Sequence, residues 1–95
     1  MPLLDELRQK RELILALAAE HGLKDVRVFS SVARGEEDEN SDIDFLVNLD
    51  KALGFKNFGF CGKMEELFGR RIDMVFEKGL YHLLRDRILR EAIPI

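Results

Sequence analysis

From about Asp5 to Glu20, apolar side chains recur at Leu7, Ile14, Ala18 and their neighbours, and Glu6 and Lys10 stand one helical turn apart. His21-Gly22 then supplies a stop, so this stretch predicts an amphipathic helix. Val26 to Phe29 is a run of strand formers that ends in Ser-Ser, and a tight turn or short helix is expected from Ser30 to Gly35. Beyond the polar, acidic connection Glu36–Asn40, the period changes to two. Ile43, Phe45, Val47 and Leu49 alternate with Asp42, Asp44, Leu46 and Asn48 in a second strand.

A loop near Asp50–Asn57 leads to a helix ending at Phe68, with Phe60, Met64, Leu67 and Phe68 on its apolar side and Gly69 closing it. Gly59 and Gly62 blur its first turn, because each costs ~1 kcal/mol against alanine within a helix. Ile72–Phe76 reads as a third strand. Gly79–Glu91 reads as a final helix, with Leu80, Leu83, Leu84 and Ile88 inward and Arg85, Arg87 and Arg90 largely outward. The order α-β-(α)-β-α-β-α predicts an α/β (α+β) protein, a small mixed sheet flanked by helices.

Length narrows this further. Ninety-five residues suffice for one core and one domain, 1–95, and leave no room for a second lobe. The chain is 46% apolar and 35% charged, the balance of a folding sequence. A net charge of −3 gives no basic field for general nucleic-acid binding. The apolar run Leu13–Ala19 is too short to span a bilayer and lacks a cleavage pattern after it, so a cytoplasmic protein with no membrane association is expected. The lone Cys61 has no second thiol for a disulfide or a thiolate metal site and reads as a buried structural thiol.

The feature that hydrophobic patterning does not explain is Asp42-Ile-Asp44. Two carboxylates on one face of a strand are costly to bury unless something positive lies between them. An EF-hand reading of Asp38–Leu49 fails, since Ile43 stands where that loop needs glycine and Leu49 where it needs glutamate. A strand with a wet outer face would need no ligand at all. The alternative is a divalent-metal site: residues i and i+2 project from one face about 6.5 Å apart, close enough to share hard cations that prefer oxygen. Asp73, between Ile72 and Met74, should point to the same face if its strand is adjacent. Ser30 and Ser31, at a strand end that opens a short helix, could hold phosphate oxygens beside such a site. A P-loop is excluded because Phe60 stands where lysine is required, and no dinucleotide fingerprint is present.

Phe29-Ser-Ser-Val-Ala-Arg-Gly35, the spacer, Ser41-Asp-Ile-Asp-Phe-Leu-Val47 and Gly69-Arg-Arg-Ile-Asp-Met-Val75 together resemble the minimal nucleotidyltransferases, a branch of the DNA polymerase β-like superfamily. The C-terminal LLRDRILREAIPI is also similar to the usual end of these proteins, so the resemblance covers nearly the whole chain. It implies the polymerase β-like palm fold and two Mg²⁺ ions held on a nucleoside triphosphate, ATP, by Asp42 and Asp44. Asp73 would bind the catalytic ion and help activate an acceptor hydroxyl, with Ser31 on the β- or γ-phosphate. Arg34 could reach a phosphate or equally pair with the acidic spacer. The one departure is Ser30, where the family pattern has glycine. The resemblance also implies a helical HEPN-domain toxin as partner, silenced by transfer of AMP to a tyrosine. A binding-only antitoxin with a vestigial site is the reading from a different class.

Overall fold

The computed structural model describes residues 2–50 and 59–95. Helices α1 (Leu3–Gln9) and α2 (Arg11–Glu20) precede strand β1 (Leu23–Phe29), the short helix α3 (Ser30–Arg34) and strand β2 (Ile43–Leu49). Then come α4 (Phe60–Phe68), β3 (Ile72–Phe76), a single 3₁₀ turn at Glu77–Gly79, α5 (His82–Glu91) and the two-residue β4 (Ile93–Pro94). The expected loop at Asp50–Asn57 falls almost entirely outside the described residues.

The sheet runs β3-β2-β1-β4. β2 pairs antiparallel with β1 and parallel with β3, which α4 makes possible by carrying the chain back between them. β4 adds to the far side of β1 through Arg27↔Pro94 and Val28↔Ile93. Period-two alternation sends Ile43, Phe45 and Val47 into the core beneath the helices, where they meet Leu7, Ile14, Ala18, Phe60 and Met64. The Phe45 and Phe60 rings pack edge to face, 6.1 Å between centroids.

Three sequence expectations change. The single N-terminal helix is two helices, broken at Lys10, whose backbone leaves the helical region at φ −101°, ψ 17°. No glycine or proline announces that break; the Lys10 ammonium instead stands 5.2 Å from the centre of the Phe68 ring on α4, a tertiary contact invisible to local patterning. β1 begins three residues earlier than predicted and carries a bulge between Lys24 and Arg27, with Asp25 at φ +53° and its carboxylate accepting from the Asn48 amide at 3.0 Å. Helix α5 starts only at His82, and Leu83 and Leu84, expected inside, are 70% and 47% exposed. α5 has no fully buried residue, and its apolar anchors are the half-buried Ile88 and Leu89.

Gly35 and Gly69 end α3 and α4 in the left-handed region, at φ +72° and +63°, where a side chain would be strained. The acidic spacer after Gly35 is tied down residue by residue. Glu37 accepts from the Leu3 N–H at 2.7 Å, supplying the carboxylate cap that α1 lacks in its own sequence. The Asp38 carboxylate accepts from the Asn40 N–H and the Ser41 hydroxyl, at 2.9 and 3.1 Å. Arg70 then donates to the carbonyls of Asp38 and Ser41, at 2.6 and 3.0 Å. These bonds hold the entry to β2, and hence the position of Asp42.

Candidate active site

Strand pairing places the aspartates. β2 lies between β1 and β3, so Asp44 has Phe29 as its cross-strand partner on one side and Asp73 on the other. The sequence could not supply that adjacency; it is a property of the parallel β2–β3 register, which pairs Ile43 with Ile72 and therefore Asp44 with Asp73. Because Ile43, Phe45 and Ile72 point into the core, the carboxylates share the opposite face. That face is not simply wet. Leu46, on the same side of β2 as Asp44, is fully buried, which removes the reading of a solvated outer surface.

Burial pushes the Asp44 carboxyl up to about 6, and the negative charges of Asp73 and Asp42 add to the effect, while a hydrogen bond from Ser30 pulls the other way. Asp44 and Asp73 are also within hydrogen-bonding reach of one another. Asp73 is exposed, and Asp42 is partly exposed just before β2 begins. The three carboxylates do not close into a ready-made cage around one point. As a donor set they nevertheless fit a hard divalent cation: all oxygen, gathered at one strand end, with burial first and mutual repulsion second holding a proton at Asp44 above the usual carboxylate range.

The raised Asp44 carboxyl, with burial as its main cause, predicts a pH effect on the metal-free protein. A carboxylate with folded pKa about 6 and unfolded pKa near 3.9 contributes stability that is full below the lower value and lost as pH rises through the higher one. Between pH 4.5 and 8 the wild type should therefore lose about 1–2 kcal/mol relative to Asp44→Asn, after allowance for solvent screening at a half-buried group. Urea denaturation of both proteins across that range measures the difference. Parallel curves would show that Asp44 is not under this strain.

Ser30 stands next to Asp44 because β1 ends there. It is one of two non-glycine residues with positive φ among the described residues, at +64°. The left-handed conformation costs a non-glycine residue about 1–2 kcal/mol, so Ser30 holds the backbone geometry for which glycine is the ordinary choice. Its N–H donates to Glu91 Oε2 at 3.0 Å. Ser31 follows in α3, partly buried. Arg34 donates from Nε to Glu36 at 3.0 Å and from Nη1 to Glu91, so its guanidinium is engaged by two carboxylates. Burial opposes ionisation of Glu91, but Arg34 and the Ser30 N–H outweigh it and hold the carboxyl below its usual range.

Two residues near the site were given no role from sequence. Glu91 lay within an arginine-rich helix end with no pattern to single it out. Glu65 accepts from the Ile72 N–H at 3.4 Å, next to Asp73. Cys61 is partly rather than fully buried, and burial, with Glu65 and Asp73 adding, raises its thiol pKa, so it stays protonated. A hollow of about 690 Å³ lined by Lys24, Asn48, Phe76 and Lys78 lies at the opposite strand ends, away from all three aspartates. Concavity and the carboxylate cluster thus lie apart here.

Comparison with known proteins agrees. The nucleotidyltransferase domain family matches residues 10–95. The chain is 32% identical over 93 residues to a "Putative protein adenylyltransferase" of Methanocaldococcus jannaschii, covering 97% of each chain. It is likewise 32% identical over 75 residues to the protein adenylyltransferase MntA of Thermococcus cleftensis, covering 78% of this chain and 76% of that one. A solved structure described as a "putative minimal nucleotidyltransferase" superposes with a TM-score of 0.82 at 46% identity, covering 97% of this chain and 95% of the other. A toxin–antitoxin crystal structure with AMP-PNP shares the fold, at TM-score 0.66 and 20% identity, over 87% of this chain and 69% of that one.

The fold is that of a nucleotidyltransferase. More narrowly, the chain belongs to the minimal nucleotidyltransferase family.

Proposed function

We propose that this nucleotidyltransferase transfers AMP from ATP to a tyrosine hydroxyl of a HEPN-domain toxin, in the cytoplasm, and so acts as an antitoxin. The observation that carries the reading is the apposition of Asp44 and Asp73 across β2 and β3, next to Ser30. The names of the curated relatives, protein adenylyltransferases, support the choice of reaction. In this reading residues 1–95 form one catalytic domain, and the partner brings the acceptor side.

Asp42, Asp44 and Asp73 would hold Mg²⁺, which supplies charge neutralisation on a triphosphate and on the leaving pyrophosphate. The chain's own residues have distinct tasks. Asp73, exposed on β3, is the carboxylate an incoming hydroxyl can reach, and it assists loss of the hydroxyl proton. Asp44, held between β1 and β3, fixes the position of the site. The Ser30–Ser31 turn is the phosphate-facing element, and Arg34 buttresses it through Glu91 and Glu36. As the acceptor oxygen bonds to the α-phosphorus, the bond to the β-phosphate oxygen breaks and pyrophosphate leaves. Positioning and charge provide most of the rate.

Incubation of the purified protein and a cognate HEPN protein with ATP and Mg²⁺, followed by intact-mass measurement, is expected to show one added AMP per modified tyrosine. Omission of the divalent ion should abolish the addition. Neutralisation of the toxin with no mass change would instead establish the binding-only antitoxin.

A further inference from the structure

Ser30 has a strained backbone and three connections. Its N–H is bonded to Glu91 Oε2 at 3.0 Å, its hydroxyl is bonded to Asp44, and it directly follows Phe29, the cross-strand partner of Asp44. Glu91 sits in the last turn of α5, sixty-one residues away in sequence, with its side chain only 18% exposed. Its second oxygen receives Arg34 from the end of α3. One carboxylate therefore grips both ends of the five-residue α3, and with it the turn that faces the aspartates.

We infer that Glu91 is a positioning residue for nucleotidyl transfer: by accepting from the Ser30 N–H it holds Ser30 at φ +64°, the conformation that aims the Ser30 hydroxyl at Asp44. A serine without such a partner falls back to negative φ, because the left-handed region crowds its Cβ. Glycine has no Cβ and occupies that region freely, so a chain with glycine there would not need the grip. The glutamate and the serine form a matched pair.

The matched-pair idea makes Ser30→Gly a rescue. The test compares wild type, Glu91→Ala, Ser30→Gly and the double variant, with two readouts. The first is the backbone NMR signature of residue 30, its Cα and Cβ shifts and amide coupling, which needs no activity and so stands or falls independently of the proposed acceptor. Glu91→Ala is expected to lose the left-handed signature at Ser30, and Glu91→Gln, whose amide oxygen can still accept from the N–H, to keep it. The second is the KM for MgATP in nucleotidyl transfer. Glu91→Ala should raise it on the order of tenfold, the worth of one hydrogen bond to a charged group, with a smaller change in kcat. In the Ser30→Gly background the same substitution should change KM by less than about twofold. Retention of the left-handed signature in Glu91→Ala overturns the inference. An equal KM penalty in both backgrounds also overturns it, because that would make Glu91 only a tie between α5 and α3.

Discussion

Asp44→Asn is expected to cut nucleotidyl transfer by roughly 10³-fold or more while the protein remains folded, since on the proposed function it removes a carboxylate that would hold the metal, and with it several kcal/mol of transition-state stabilisation. The structural reason is its place in the sheet. Asp44 is flanked by Phe29 and Asp73 on neighbouring strands. Asparagine preserves shape and can still accept from Ser30, and it relieves the repulsion from Asp73 and Asp42. Loss of activity should therefore coincide with equal or greater resistance to denaturant at neutral pH. Steady-state transfer assays beside urea curves on the same preparation test both halves. An active Asp44→Asn protein would remove the aspartate cluster from the mechanism.

Phe45→Ala is expected to produce the opposite combination, lost stability with no change in site chemistry. Phe45 is fully buried at the centre of the sheet and packs edge to face on Phe60. Truncation of a buried phenylalanine leaves a cavity and costs about 3–5 kcal/mol. A chain of this size has about 5–14 kcal/mol in total, so the variant should be partly unfolded at moderate temperature. Chemical denaturation with a far-UV circular dichroism readout gives the number. A loss below about 1 kcal/mol would contradict the packing described for β2.

These neighbouring residues also show what the sequence discloses. Period-two alternation separates Phe45 from Asp44 without any structure, and the place of Asp73 between Ile72 and Met74 extends the inference to it. Ser30 could be singled out because it departs from a pattern. Glu91 could not. Its role depends on α5 returning its last turn to the end of β1, a contact between residues sixty-one positions apart. The break at Lys10 and the bulge at Asp25 likewise coincide with tertiary contacts, to the Phe68 ring and from the Asn48 amide, that local patterning does not announce. The misassigned face of α5 has a different cause. Leu83 and Leu84 satisfy a helical period, but the chain stays extended through Leu80 and Tyr81, at ψ 133° and 130°, so the helix begins late and its period does not align with the core.

β3 has β2 as its only strand neighbour among the described residues, and it carries the exposed Asp73. A reaction centre on the rim of a sheet provides little shelter of its own. Water reaches such a rim as readily as any hydroxyl, so the proposed transfer would depend for its fidelity on the acceptor bringing a surface that dries the site as it docks. On the proposed function, selectivity then belongs to the fit between two macromolecules more than to the enclosure of a small one.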